Sequence, residues 1–371
     1  LNNYSLGRLN FSVVGDSPVA ALVRQELVSI RTGDVSQPEL LFCWADSMPA
    51  IEKPTLLTPY KIAIDKIAIQ QSGLDYQISK IDGVWTVTLA PSASGHGVSS
   101  RATATASDSW ERFRDWNYLS KTETLAKTFM YDVFDHVTQS CQIAKKQTYL
   151  HASSMTRDGR GVVIAGWGGV GKTTSVLKLV TEHGWKYMSD DLALVSDDGT
   201  LYRHPKRIQI YAYNLIGQPA LKAGLMKGRG IADRLSWNIR LQLRGVKGVR
   251  RRVSAEEFFG DEHVGTSVQA SELFLMERAA CASIEVHPLE LDQAVDRMTA
   301  TLLHELSPFT DVNNACRAGG LQIGVPSIET TLKSTSQILQ KAFDGVKPKL
   351  VRVPPKTGPN ELADVMLKHL A

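Results

Sequence analysis

The chain has 371 residues, 43% of them hydrophobic and 22% charged, with a formal net charge of +4. That length allows two or three domains with cores of their own, and the composition is that of an ordinary globular protein, without low-complexity tracts or internal repeats. No run of 18 apolar residues marks a membrane-spanning helix, and the basic bias is too weak by itself to argue for nucleic acid.

The N-terminal stretch "LNNYSLGRLNFSVVG" lacks the basic, apolar and small-residue layout of a signal peptide, so a cytoplasmic location is expected. The four cysteines (Cys43, Cys141, Cys281 and Cys316) stand far apart and form no CxxC pair, which speaks for reduced thiols over zinc or a disulfide framework. Residues 1 to about 100 mix strand-like runs, "LNFSVVG", "ELLFCWA" and "WTVTLAP", with a helix predicted from Ser17 as its cap and Pro18 at its first position. The small, polar stretch 91–109 reads as a loop. Helical spacing follows to about residue 146, with Phe129, Val133, Phe134 and Val137 on one stripe and Trp110, Phe113 and Trp116 read as core packing. An α+β N-terminal domain over 1–145 is expected, followed by a second domain over 146–371.

From Tyr149 the pattern changes. "YLHASSM" and "GVVIAG" read as strands joined by a hairpin turn at Asp158-Gly159. Then come the glycine loop "GWGGVGKTT" (166–174), a helix ended by Gly184, and a strand "WKYMS" stopping at Asp190-Asp191. A second hairpin follows, "LALVS" and "TLYRH". Antiparallel pairs on both sides of the loop predict a mixed sheet rather than the parallel alternation of a dinucleotide fold. Farther on, "ELFLME" and "KLVRV" read as strands, and helices are expected around 292–306, 327–343 and at the C-terminus.

The loop satisfies two phosphate patterns. As G-x-G-x-x-G (Gly166, Gly168, Gly171) it is a dinucleotide fingerprint, and Asp190, 19 residues after Gly171, stands where a ribose-binding acid belongs. As G-x-x-x-x-G-K-T (Gly166, Gly171, Lys172, Thr173) it is a P-loop, the Walker A pattern. A dinucleotide pyrophosphate, held by a helix N-terminus, has no need of the Lys172-Thr173 pair. A triphosphate with Mg²⁺ has: the ammonium reaches the β and γ phosphates, and the hydroxyl ligates the metal. The doubled acid Asp190-Asp191 also exceeds what one ribose requires. The P-loop reading is therefore preferred, with Gly166, Gly168, Gly169, Val170, Gly171, Lys172, Thr173 and Thr174 as nucleotide-binding positions. Backbone N–H groups from Gly168 to Lys172 would form the anion nest. Trp167 is read as packing on the protein surface, with stacking on the base as the alternative.

The layout "LHASS…GVVIAGWGGVGKTT…GWKYMSDDLALV" resembles the HPr kinase family, over about residues 149–204. The resemblance implies an α/β fold with a mixed-sheet P-loop kinase core, shared with phosphoenolpyruvate carboxykinases. It also implies ATP- and Mg²⁺-dependent phosphorylation of a hydroxyl, with a protein serine as acceptor in the family's namesake. Carried over position by position, Lys172 and Thr173 would hold phosphates and Mg²⁺. Asp190 or Asp191 would deprotonate the acceptor, the other serving the metal side, for which Asp191 is taken with Thr173. His151, 15 residues before Gly166, would lie near the transferred phosphate. The namesake's Gly-Arg signature loop has only a superficial counterpart in "MKGRGIADRLS" (226–236), so the reverse phosphorylase activity is not expected. The alternatives are a kinase for a small-molecule alcohol or sugar, an ATP-driven switch or hydrolase, and an NAD-dependent oxidoreductase.

Between Lys222 and Val253 lie ten Lys or Arg and one acid, Asp233. The block reads either as a solvated loop or as a surface that docks an acceptor or steers phosphate. Its lone aromatic, Trp237, is too little for a nucleic-acid stacking surface. Lys206 and Arg207, just past the second hairpin, and Arg229 are candidates for contact with phosphate or acceptor. A homo-oligomer stays open.

Overall fold

Ser17 and Pro18 start the first helix as their residue types dictate. The Ser17 side chain accepts a hydrogen bond from the Ala20 amide at 3.1 Å, and such a cap is worth about 1 kcal/mol. A computed structural model describes residues 2–33, 37–70, 73–92, 119–321 and 324–370. Trp110, Phe113, Trp116 and most of the stretch 91–109 lie outside the described residues. The chain divides into two compact units, Leu1–Lys145 with Leu306–Ser334, and Lys146–Glu305 with Thr335–Ala371. Residues 306–334, read from the sequence as part of a C-terminal extension, thus cluster with the first unit.

The first unit holds an eight-stranded sheet. Its strands are β1 (Asn2–Leu6), β2 (Leu9–Val14), β3 (Leu40–Trp44), β4 (Thr55–Leu57), β5 (Tyr60–Ala63), β6 (Lys66–Gln70), β7 (Leu74–Ile81) and β8 (Val84–Pro91). They lie in the order β1-β2-β3-β8-β7-β6-β5-β4, with β2–β3 and β3–β8 parallel and the remaining pairs antiparallel. The helix α1 (Pro18–Glu26) crosses from β2 toward β3. Farther on, α2 (Lys121–Thr128), one π turn (Phe129–Phe134) and α3 (Asp135–Ala144) run on as one helical stretch. The stripe Phe129, Val133, Phe134 and Val137 is buried as its spacing predicts. Phe42 meets Phe129 edge-on at 5.0 Å, and Phe11 meets Phe134 at 5.5 Å, so sheet and helices share an aromatic core.

In the second unit the mixed sheet expected from the hairpins is present. It comprises β9 (Gln147–Leu150), β10 (Ala152–Arg157), β11 (Arg160–Gly166), β12 (Lys186–Ser189), β13 (Ala193–Ser196) and β14 (Thr200–Tyr202). After a separate pair, β15 (Ile208–Tyr211) with β16 (Arg250–Val253), it is completed by β17 (Ser267–Arg278), β18 (Glu285–Pro288) and β19 (Lys349–Val353). The main path runs β12-β10-β11-β17-β14-β13-β9, with β19 beside β17 and β18 beside β19. Twelve residues long, β17 runs parallel to β11 and β19 but antiparallel to β14. The β10–β11 hairpin turns through Asp158 and Gly159, both at positive φ (51° and 75°), as a two-residue primed turn requires.

Helix α4 (Lys172–His183) packs on one face with α9 (Pro359–Leu370), burying Val176, Leu177, Val180, Leu362 and Met366 around Trp185 and Tyr187. The other face is closed by Ala294, Val295 and Met298 of α7 (Leu291–Glu305) and by Leu339 and Ala342 of α8 (Ile328–Ala342). Two layers of helix over one sheet thereby fix the end of β11, where the glycine loop begins. The basic segment is not the loop expected as one reading. It folds into α5 (Pro219–Met226), α6 (Ile231–Gly248) and β16. Trp237 is buried and carries the Arg251 guanidinium 5.1 Å from its ring centroid. Among the described residues no helix is long and apolar enough to cross a membrane.

Candidate active site

Gly166 ends β11 at φ 142° and pairs with Met276 of β17. A Cβ there would stand 2.3 Å from the Met276 carbonyl oxygen, so backbone conformation and close packing both require glycine. Gly166→Ala is therefore expected to cost about 2–4 kcal/mol of stability, read as a lowered denaturant midpoint with unchanged slope. Gly171, at φ 109°, turns the chain into α4 and faces Leu362. At Gly168 and Gly169 an added Cβ would meet nothing within 4 Å, which leaves the outer side of the loop open. The loop ends at the N-terminus of a twelve-residue helix, where unsatisfied N–H groups and the helix dipole favour an anion.

Lys172 is buried, and its Nζ donates to the Gly166 carbonyl at 2.6 Å and the Trp167 carbonyl at 3.0 Å. Burial pushes its pKa down to about 8, against the pull of Asp190, Asp191 and Glu305. Thr173 Oγ1 donates to both oxygens of Asp190, at 2.9 and 3.0 Å, and Ser153 Oγ donates to Asp190 Oδ1 at 2.5 Å. Burial raises the Asp190 pKa, opposed mainly by the Ser153 bond, while Asp191 adds to the rise. The sequence reading joined Thr173 to Asp191; the contacts instead join it to Asp190.

The strand ends one residue before the acidic pair, so the alternation of side chains across a sheet does not separate the two carboxylates. Asp191 takes a left-handed conformation (φ 74°), and the Leu192 amide closes a tight turn onto the Asp190 carbonyl at 3.0 Å. A non-glycine residue held there stores strain of order 1 kcal/mol or more. Asp191 Oδ2 accepts from the Lys206 ammonium at 2.9 Å. Lys206 is buried, on the segment between β14 and β15.

His151 lies in the break between β9 and β10, not within a strand. It is buried, and neither ring nitrogen has a hydrogen-bond partner among the described residues. Nδ1 stands 3.8 Å from Asp191 Oδ1 and 3.6 Å from Glu305 Oε1. Burial, reinforced by Lys172, lowers the His151 pKa to about 4, so near neutral pH the ring is uncharged and these contacts are not ion pairs. His151, Asp191 and Glu305 offer ligand atoms within 4.8 Å of one another, a span that one cation could bridge.

Glu305, whose pKa burial also raises, had no signal in the sequence beyond ending a helical pattern. Its neighbour His304 stacks on Trp167 at 4.3 Å, so the half-exposed Trp167 rests on protein, the packing reading of the sequence. Ser153, Asn214 and Arg278 were missed as well. Asn214 donates to Thr174 Oγ1 at 2.8 Å, and Arg278 to the Gly169 carbonyl at 3.3 Å. The side chain of Val170 is buried in the core, leaving only its backbone to the loop. Arg207 is half-buried beside Lys206. Arg229 is exposed and lines a different cleft, with Phe258 and Glu256.

The structure thus brings together Lys172, Thr173, Asp190, Asp191, His151, Lys206 and Glu305. A buried cation, a hydroxyl–carboxylate pair and a second, cation-held carboxylate converge beside the glycine loop. No protein-family model matches the chain, and no curated protein does. Among solved structures, the HPr(Ser) kinase/phosphatase from Coxiella burnetii is similar at 12% identity, over 60% of this chain and 96% of that one, with a TM-score of 0.28.

Proposed function

We propose that this chain is an ATP- and Mg²⁺-dependent kinase of the HPr kinase type, with the hydroxyl of a protein or peptide serine as its acceptor. The observation that carries the reading is the pairing of Thr173 with Asp190 beside the buried Lys172, at the mouth of a glycine loop that opens a helix. A hydroxyl backed by a carboxylate and an ammonium on the same turn suit a metal-bound triphosphate. They suit a dinucleotide poorly, because Asp190 is already engaged by Thr173 and Ser153 and is not left to a ribose.

Bound there, Mg²⁺·ATP supplies the phosphoryl group and a cation that screens its oxygens. Lys172, which now bonds its own loop, would exchange those carbonyls for phosphate oxygens. Thr173 and Asp190 would hold the cation, and the amides from Gly168 to Lys172 would cradle the phosphates. The acceptor hydroxyl would give its proton to Asp191 as its oxygen bonds the γ-phosphorus and the bond from that phosphorus to the bridging oxygen breaks, with ADP as the leaving group. Lys206 holds Asp191 in position. Neutral His151 can donate one hydrogen bond without adding charge.

The test is incubation with γ-labelled ATP, Mg²⁺ and a cell extract, followed by separation of protein from small molecules. Label on a polypeptide, recovered as phosphoserine, is the expected result. Label confined to inorganic phosphate would leave only hydrolysis, and label on a small molecule would replace the acceptor. Thermal stabilisation by NADH but not by ATP with Mg²⁺ would remove the kinase reading altogether.

A further inference from the structure

The proposed phosphotransfer leaves the outward side of α6 unused. Trp237 and Leu241 turn the inner side of this helix into the core. On the opposite side Ile231, Leu235, Ile239 and Leu243 recur every fourth residue, which places them within an arc of about 120°. All four are exposed, Ile231 to 87%, Leu235 to 58% and Leu243 to 68%. Single exposed aliphatics need no explanation, but an aligned row of four on one helix does. The row continues past the kink at Gly245 to the exposed Val246, and α6 packs beside the turn Ala212–Leu215, which adds the exposed Tyr213 and Ile216.

Cations border the row. By helical position Arg234 stands along one edge and Arg240 along the other, with Arg244 behind it and Lys247 past the kink. Asp233 of the same helix accepts from Arg251 at 2.7 Å, and Arg240 donates to Ser236 Oγ at 2.7 Å. Lys227 and Arg229 stand apart from this border, in a cleft shared with Glu256, Glu257 and Glu262.

We infer that α6 is a peripheral docking surface for an anionic lipid bilayer. Its aliphatic row would enter the boundary between headgroups and acyl chains, and the flanking cations would reach lipid phosphates. A convex ridge needs no matching groove in a bilayer, which reforms around it. The charge pattern disfavours a second copy of the chain, because joining two such rows would set arginine against arginine. The helix is already folded against its own core, so docking carries none of the ordering cost that a disordered amphipathic segment would meet.

The test is flotation of the full chain, without nucleotide, with vesicles of phosphatidylcholine alone or mixed with phosphatidylglycerol. Binding to the mixed vesicles should exceed binding to the neutral ones by about tenfold or more and collapse at high salt. Arg234→Glu with Arg240→Glu should weaken it by at least about fivefold per position. Leu235→Ser with Leu243→Ser should remove it while the melting temperature stays within a few degrees, since both side chains are exposed. Flotation with neither vesicle, equal flotation with both, or full binding by the serine variant would overturn the proposal. So would a concentration-dependent dimer abolished by that variant, or a soluble acidic protein that binds this face in place of vesicles. Flotation is read without ATP, so it stands or falls independently of phosphotransfer.

Discussion

Lys172→Ala should abolish ATP turnover, lowering kcat by about a thousandfold, while the chain stays folded. Its Nζ lies at the mouth of the loop, held by two backbone carbonyls and surrounded by three carboxylates, Asp190, Asp191 and Glu305. Those carboxylates have an electrostatic need for a cation, and a triphosphate bound to the loop has the same need. In the alanine variant no other ammonium is at hand to replace it, because Lys178 is paired with Glu182 and Lys206 is engaged by Asp191. The stability cost is modest by comparison. Two hydrogen bonds to carbonyls are lost, at about 1 kcal/mol each, and the aliphatic stem of a buried side chain goes with them. Part of that loss is recovered because an ammonium no longer has to be desolvated. Lys172→Arg should be nearly as inactive, since a planar, longer head cannot occupy a site shaped for one point charge. Single-turnover phosphotransfer and a thermal melt on the same preparations check both statements. Normal turnover in the alanine variant would sink the proposed role of the loop.

Much of the second unit was legible because its signals are local. The hairpin at Asp158-Gly159, the helix stop at Gly184 and the end of β12 at Ser189 each follow from residue types within a few positions. The mixed sheet followed from those hairpins. Lys172 and Thr173 were singled out because they stand in one contiguous motif, and the acidic pair because it ends the next strand. Glu305 and Arg278 were not. Each reaches the site from more than a hundred residues away, at the end of an element whose pattern reports burial and not direction. The partnership of Thr173 with Asp190 was hidden for a different reason. It depends on the left-handed turn at Asp191, a conformation a non-glycine residue adopts rarely and that spacing does not signal. The basic block, read either as a loop or as a docking surface, holds a helix in place of the loop, because Trp237 and Leu241, four residues apart, pack α6 on the core.

That turn makes the two carboxylates separable by experiment. Asp190 faces Thr173 and Ser153 with both oxygens engaged, whereas Asp191 faces Lys206 and His151. In Asp190→Asn the amide keeps the shape, and the two hydroxyls can rotate to accommodate it, so the fold should persist. What is lost is the negative charge beside Thr173. The Mg²⁺ concentration needed for half-maximal activity should rise by about tenfold to a hundredfold, and affinity for the metal-bound nucleotide should fall with it. Asp191→Asn should behave differently. Nucleotide affinity should stay within about twofold, while kcat falls by about 10² to 10⁴, the range a positioned base supplies. Lys206 would keep a hydrogen-bond acceptor in that variant, so its geometry should be little disturbed. Equilibrium nucleotide binding and turnover, each measured across an Mg²⁺ titration, distinguish the two. Equal losses of binding in both variants would place the whole pair at the metal and leave the acceptor proton without Asp191. The reverse pattern, with Asp191 controlling Mg²⁺ and Asp190 controlling kcat alone, would mean that the Thr173 contact does not mark the metal side.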